Sequence, residues 1–482
     1  MSITGSISNA LSGLRASSLA AELVSSNLAN STNENYAVRN ISLSSGANGG
    51  VQVDGVLRDV NETLLGEWRR AGADAAGLGT KTSYLARVER LMGAPDDAGS
   101  LSSLMTRFES SLVSAAARPD LPIRQEVVLS SAQDLAGVFN STSAGLQELR
   151  SEIDTGIGRL VGEVNTAVQQ IVDLNGRITR AQSSGDNSQT LFDLRQTAID
   201  KVSEIVPVRT LPRDNGTVAL VSTSGTVLLE GSAVELDFTA SGTVTEHMTL
   251  DNDLLSGISI NGVEVPIGSG NSRLKGGTLA AMFELRDETL VGYQGEVDAL
   301  ARNLVDRFQD SGLDPTIGVG DAGLFTDSGL AFTAADEVGL SRRLEVNAQV
   351  DPNAGGELWR LRDGLYAAAP GPAGDGSLLL GMIDRLGESL SVASGSQAGL
   401  TATVAGLTST IVSGIATDLS YSEDRLSFAS ARSAELTEQK LLDGVDTDTE
   451  LQKLIQIERA YAANAKVLQT VDEMLDVLMG VI

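Results

Sequence analysis

Cysteine is absent from this sequence, and histidine occurs once, at His247. The first absence excludes disulfides, thiolate metal sites and cysteine nucleophiles. The second nearly excludes a histidine-based triad or a multi-histidine metal site within one chain. His247 stands in the polar run Thr245-Glu246-His247-Met248, which reads as a solvated loop or strand. Aromatic residues make up only 4% of the chain, and 10 prolines stand against 51 glycines, so small side chains carry much of the packing, as in long helices set close together. Cations are also short: 35 Lys and Arg face 63 Asp and Glu, a formal net charge of -28. That balance argues against nucleic acid and against membranes as partners, since both reward basic stripes. No run approaches the ~20 apolar residues of a membrane-spanning helix. The N-terminus lacks the basic region and continuous apolar run of a cleaved secretory signal. A chain of 482 residues has room for more than one domain with a real core.

What the chain does have is a long seam at its end. Leu454, Ile457, Tyr461, Asn464, Leu468, Val471, Leu475, Leu478 and Ile482 follow one another in alternating steps of 3 and 4. A 3.5-residue repeat held this long is the seam of a coiled coil. Each fully buried side chain of this kind contributes about 1.5–3 kcal/mol, and an isolated helix without that burial is marginal in water. The segment asks for a partner helix, and Asn464, polar in an apolar seam, is of the kind that selects register. Thr447 and Glu450 stand at capping-box spacing before it, beside Asp446 and Asp448. The same acidic run mimics the opening of a calcium loop but has Leu451 where the loop needs Gly and Ile457 where it needs a carboxylate. At the other end, Ile7, Leu11, Leu14, Ser18, Ala21, Ser25 and Leu28 step by 4 and 3 in turn. The two terminal helices are expected to pack side by side.

Between them the pattern changes several times. Ile41 and Leu43, then Val51 and Val53, alternate around the Gly46–Gly50 turn and read as a β-hairpin. Asn61 to Val206 reads as helix, with corners at Pro95 and at Pro119/Pro122. Pro207 to about Gly277 reads as a β-insert, with turns at Asp214-Asn215-Gly216 and Asn261-Gly262 and strands at Val218–Val221, Val227–Leu229, Val234–Phe238 and around the second turn. Helix then resumes through Gln309. Gly318-Val319-Gly320-Asp321-Ala322-Gly323 matches the dinucleotide fingerprint by letter, but no apolar strand precedes it and no helix opens after it, so a loop is expected. From Ala373 the chain has no proline and returns by helix to the terminal seam.

Two runs carry a resemblance. ALSGLRASSLAAELVSSNLANST (Ala10 to Thr32), centred on Val24 to Asn30, resembles the N-terminal signature of the flagellar axial proteins of rod, hook and hook-associated type. AYAANAKVLQTVDEMLDVLM (Ala460 to Met479) is similar to the matching C-terminal end of that family. The helical runs at Gly99 to Leu112, Val164 to Ile178 and Leu191 to Val206 resemble the hook-associated branch, because hook and rod proteins turn to β-structure soon after the N-terminal helix.

The resemblance implies a structural adaptor that polymerises into the junction between hook and filament. The alternatives are a hook protein or another axial subunit, and more remotely a hydrolase built on paired carboxylates such as Asp96/Asp97. No cluster of acid, base and nucleophile emerges, so the chain is read as no enzyme, with no cofactor and no metal. Implied partners are copies of itself in a ring, the hook protein, the next hook-associated junction protein, and a cytoplasmic export chaperone on the C-terminal helix. The implied location is extracellular, reached through the flagellum's own export route without a cleaved signal.

The expected fold is mainly α with a β insert: paired terminal helices, a long-helix bundle body and a small all-β outer domain. The expected division is 1–60 with 441–482 for the terminal assembly domain, 61–206 with 275–440 for the helical body, and 207–274 for the insert, which its local turns suggest folds by itself. The assembly interface is assigned to Ile7, Leu11, Leu14, Asn27, Leu28 and Asn30 at one end. At the other it is assigned to Leu454, Ile457, Tyr461, Asn464, Leu468, Val471, Leu475 and Leu478.

Overall fold

The computed structural model describes residues 3–46, 49–94, 97–185, 188–268 and 272–479. The first helix, α1 (Ile3–Ala29), leads into an antiparallel hairpin of β1 (Val38–Ser45) and β2 (Val51–Asp59), with a register shift between Ser42 and Leu43. The hairpin turn closes with Gly49 N donating to Gly46 O at 2.9 Å and Gly46 N donating to Gly50 O at 3.2 Å. Gly49 and Gly50 both take positive φ, 89° and 82°, which a side chain would resist.

Four helices follow: α2 (Glu62–Met92), α3 (Leu101–Ala117), α4 (Pro122–Ser184) and α5 (Gln189–Ile205). Their starts are those the chemistry favours. Asn61 and Ser100 cap α2 and α3 by accepting from Leu64 N and Ser103 N, and Pro122 occupies the first turn of α4. With 63 residues and no internal proline, α4 is the spine of the molecule. Pro95 and Asp96, one expected corner and half of the acidic doublet, lie outside the described residues.

The insert holds two antiparallel sheets. β3 (Val208–Pro212), β4 (Val218–Ser222), β5 (Val227–Glu230) and β6 (Ser232–Ala233) form the first, and β7 (Leu236–Asp237), β8 (Ile258–Ile260) and β9 (Val263–Val265) the second. Asn261 and Gly262 both have positive φ, 49° and 77°, as the tight turn between β8 and β9 requires. The expected strand at Val234–Phe238 is reduced to Leu236–Asp237. The insert does not stand apart. Leu220, Leu229, Leu236 and Ile258 join the same hydrophobic cluster as Val161, Val164 and Val168 of α4. Asn165 on α4 holds Leu236 by both backbone groups, donating to its O at 2.8 Å and accepting from its N at 3.0 Å. The independent fold suggested by the insert's local turns gives way to a docked layer.

The chain returns through α6 (Gly277–Glu284), a single π turn at Leu285–Thr289 and α7 (Leu290–Phe308). The π turn carries Arg286, fully buried, onto Asp154 Oδ1 at 2.6 Å. Residues 309–403, assigned by sequence to the bundle, hold only short pieces: β10 (Phe325–Asp327), α8 (Leu340–Arg343), β11 (Leu344–Val346), α9 (Arg360–Asp363), α10 (Ser377–Gly387), β12 (Leu390–Ser391) and β13 (Thr401–Ala402). The GxGxxG run is a loop there, pinned by Gly318 N donating to Asp321 Oδ2 at 3.1 Å and running into β10. Phe325 packs edge-on to Phe108 and Phe308, which ties this region to α3 and α7. Two long helices close the chain, α11 (Val404–Leu442) and α12 (Thr447–Met479). α11 lies antiparallel on α2, with Trp68 Nε1 donating to Thr437 Oγ1 at 3.0 Å and the Thr82 and Ser422 hydroxyls 2.7 Å apart.

Candidate assembly interface

α1 and α12 pack antiparallel, as the contacts Gly13 to Asn464 and Asn27 to Glu450 require. The face that α1 buries is not the one its larger apolar residues mark. Ala10, Gly13, Ala16, Leu23, Val24 and Asn27 are buried. Of the residues assigned to the seam, Leu11 and Leu28 are exposed and Ile7 and Leu14 half-buried. The cause is distance: small residues let the α12 backbone come close, and Leu11 and Leu28 are turned outward. On α12 the assigned seam does face inward in part. Val471 is buried, Leu454, Ile457, Asn464 and Leu468 are half-buried, and Tyr461 and Leu475 are exposed. The side chain of Leu478, and the whole of Ile482, lie outside the described residues.

The start of α12 shows what holds the pair in register. Asp446 is the cap: its carboxylate accepts from Asp448 N at 3.0 Å, from Thr449 N at 3.4 Å and from Thr449 Oγ1 at 2.7 Å. The Thr449 side chain, then the two backbone N–H groups, hold that carboxyl below its ordinary range. The capping box read at Thr447/Glu450 is therefore displaced, and Glu450 is released for another task. It is 2% exposed, with Oε2 accepting from Asn27 Nδ2 at 2.9 Å and Oε1 accepting from Lys453 Nζ at 2.6 Å. Lys453 also donates to Asn40 Oδ1 at 3.2 Å.

Asn27 is fully buried, and both ends of its amide are committed. Its Oδ1 accepts from the Tyr36 hydroxyl at 2.8 Å and from Arg39 N at 3.1 Å, while Nδ2 donates to Arg39 O at 3.0 Å and to Glu450. One side chain thus joins α1, the start of the hairpin and α12. Asn30, the other asparagine of the signature, serves the end of α1, donating to Ser26 O at 2.8 Å. Asn464 turns its amide to Ala460 O of its own helix, at 3.0 Å, and lies over Gly13.

The terminal unit meets the body through a polar clasp. Arg39 and Arg58 are register partners across the hairpin, and both reach Asp193 of α5, at 3.0 and 2.7 Å. Arg58 also lies over the Phe192 ring, and Arg39 over Tyr36.

Sequence reading left Gly13, Tyr36, Arg39 and Asp193 out of the interface and gave Glu450 only a capping role. A signal existed for the first: Ala10, Gly13, Ser17 and Ala20 form a small-residue stripe beside the apolar one. Nothing in the sequence marks Asp193 among the 63 acidic residues.

Among the described residues no cluster of His, Asp or Glu could hold a metal ion, and no helix is long and apolar enough to cross a membrane. His247 lies exposed in a turn of the insert.

A helical body framed by paired N- and C-terminal helices is the layout that the flagellar resemblance of the sequence implies. Comparison with known proteins gives the following likenesses. The family described as flagellar hook-associated protein FlgK helical domain matches residues 85–316, and that of the flagellar basal body rod FlgEFG protein C-terminal matches 443–481. Flagellar hook-associated protein 1 of Salmonella typhimurium is 26% identical over 317 residues, 63% of this chain and 55% of its own length. Its counterpart in Bacillus subtilis is 25% identical over 459 residues, 89% of this chain and 85% of its own. A solved structure, the flagellar hook junction protein FlgK from Burkholderia pseudomallei, aligns with a TM-score of 0.44 at 21% identity, over 55% of this chain and 47% of that one. Across these comparisons the chain is similar to flagellar hook-associated protein 1. It spans about half the length of the Salmonella relative it matches.

Proposed function

We propose that this chain is the structural adaptor that polymerises into the junction between hook and filament. The observation that carries the reading is the terminal pair. Its inner face is locked by Asn27 and Glu450, while its outer faces carry Leu11, Leu28, Leu451 and Ile455 exposed at 36% or more. Exposed apolar stripes on a helix pair are surfaces for further helices. In this reading neighbouring copies cover them, forming a ring whose ends meet the hook protein and the next junction protein. The division into a terminal assembly part (1–60 with 441–482), a body (61–206 with 275–440) and an insert (207–274) follows the same reading. So do the assembly roles of Ile7, Leu14, Asn30, Tyr461, Leu468 and Leu475, export through the flagellar route, and a chaperone covering α12 beforehand. Cells lacking the chain are expected to carry hooks without filaments, and the wild-type chain to restore filaments. Normal filaments in the deletion strain would refute the adaptor role.

A further inference from the structure

The flank of α11 beside α2 carries a second heptad-spaced stripe. Tyr421, Arg425, Phe428 and Arg432 follow at steps of 4, 3 and 4, and all are exposed. Phe428 is 79% and Tyr421 65% exposed, in a chain with only 17 aromatic residues, 2 Trp, 6 Tyr and 9 Phe. Arg425 lies over the Tyr421 ring, and among the described residues neither Arg425 nor Arg432 makes an ion pair. Aromatic and arginine side chains are the types that anchor protein interfaces. Two guanidinium groups among exposed rings, with the carboxylate of Asp74 on α2 as their shared charged neighbour, stand out in a chain of net charge -28.

A face of opposite character lies on the insert. In the register of the three-stranded sheet, Asp237 stands opposite Ser259, and Ser259 opposite Glu264, so both carboxylates share one face. The turn before β8 adds Asp251 and Asp253, with Leu254 exposed beside them. A Cβ at Gly257 would fall within 4.0 Å of both Leu250 and Glu264, which sets that turn beside the sheet's acidic face. None of these four carboxylates makes an ion pair among the described residues.

We propose that the acidic face of the insert on one copy docks on the aromatic–arginine stripe of α11 on the next copy. The inference rests on the ring reading above and adds a lateral contact to it. Charge complementarity selects the occupant: two guanidinium groups beside exposed rings, sharing one carboxylate, Asp74, on one face, and four carboxylates without an ion pair beside an exposed leucine on the other. Two different patches make the contact heterologous, and repeated heterologous contacts generate a ring or a helix rather than a closed dimer.

Charge exchange tests it. In cells lacking the chain, the Arg425→Glu/Arg432→Glu variant and the Asp251→Lys/Asp253→Lys/Glu264→Lys variant are each expected to cut filament-bearing cells at least tenfold. The five substitutions combined should restore filaments to at least half the wild-type level. Wild-type numbers with the α11 reversal alone, or a combined variant no better than either parent, would overturn the contact. A wild-type chain that supports no filaments would instead sink the adaptor reading, which keeps the two failures distinct. Because the chain has no cysteine, a second measurement is independent of charge. Flagella from cells making both Phe428→Cys and Leu254→Cys chains are treated with a short bifunctional maleimide. A cross-linked pair holding one chain of each kind is expected, and its absence counts against the proposal even where a charge variant loses its thermal melt.

Discussion

Asn27 Nδ2 lies 2.9 Å from Glu450 Oε2, with both side chains almost wholly out of solvent and 423 residues apart in the chain. A buried carboxylate is tolerated only where its oxygens are bonded. Here one oxygen takes the amide of α1 and the other takes Lys453. The pairing can form at only one sliding position of α1 on α12, which makes it the register device of the terminal pair.

Asn27→Ala removes four hydrogen bonds, leaves a Glu450 oxygen without its amide partner and leaves the Tyr36 hydroxyl with only Ser26 Oγ, 3.3 Å away. Each orphaned buried group costs about 1–3 kcal/mol. The loss falls on the terminal unit, so the melt of the helical body should hold while mild protease trims both ends much faster than in the wild type. Equal trimming rates in the two proteins would show that Asn27 does not hold the pair.

Gly13 and Asn464 make a second, sharper test. A Cβ at Gly13 would lie 2.6 Å from Asn464 Nδ2 and 2.9 Å from its Cγ, so the amide would have to swing away and give up Ala460 O. Alanine in a helix interior is otherwise favoured over glycine by about 1 kcal/mol. Gly13→Ala should therefore weaken the terminal pair in the wild-type background and strengthen it in the Asn464→Ala background. The sign change across the double-mutant cycle is the readout, measured by hydrogen exchange of α1 amides. The same sign in both backgrounds would mean the two residues do not touch.

These two pairs show what the sequence made legible and what it hid. The 3.5-residue repeat of α12 announced a partner helix, and Val471 and Ile457 do face it. The face of α1 was misassigned because hydrophobicity ranks Leu11 above Gly13. Close approach ranks them the other way, and only the position of the partner backbone decides between them. Glu450 was read as a local cap because capping is visible over a few residues, whereas its bond to Asn27 spans nearly the whole chain. The insert looked autonomous since hairpin turns are local signals. Its attachment through Asn165 uses a polar residue on a helix, which carries no mark of its role.

Asp193 is expected to behave as the joint between terminal unit and body. Its carboxylate is shared by Arg39 and Arg58, with all three side chains 10–14% exposed. Removing one member of a buried ion pair costs up to about 3–5 kcal/mol, because the charges left behind stay desolvated. Asp193→Ala should loosen the hairpin from α5 and raise hydrogen exchange across β1 and β2, with little effect on the α3–α4 core. Salt should mimic it poorly, since such pairs are screened less than surface ones. Unchanged exchange in the hairpin would assign the joint elsewhere.

Replacing residues 207–276 by a short Gly/Ser linker tests whether the insert is a layer or an appendage. Removal strips Leu220, Leu229, Leu236 and Ile258 from the shared cluster and leaves Arg150 without the carbonyls of Thr245 and Met248. Burial pushes that guanidinium's pKa down to about 10, so its carbonyl partners matter to the native state. The deletion variant should melt earlier by on the order of 10 °C or more, with partial loss of helical circular dichroism. A melt equal to the wild type would restore the view of an independent module.

Asp298 sets a pH dependence whose sign can be worked out. It is buried, and it accepts from Ser341 N at 2.9 Å, Ser341 Oγ at 2.6 Å, Gln294 Nε2 at 3.0 Å and Gly339 N at 2.8 Å. Burial raises its pKa above the ordinary 3.8, and the four hydrogen bonds oppose that only in part. With the folded pKa above the unfolded one, the folded state binds the proton more tightly in the window between them. Its stabilising contribution is therefore complete below about pH 3.8 and is lost as pH rises through the folded value. Asp298→Asn cannot titrate. It keeps one acceptor oxygen but points an amide N–H at Gly339 N, so it should be less stable overall. The deficit should be largest in acid and should shrink as pH rises through the wild-type carboxyl's folded pKa. Denaturant unfolding of both proteins across that window measures the difference directly. A deficit that stays constant with pH would mean that Asp298 titrates alike in the folded and unfolded chains.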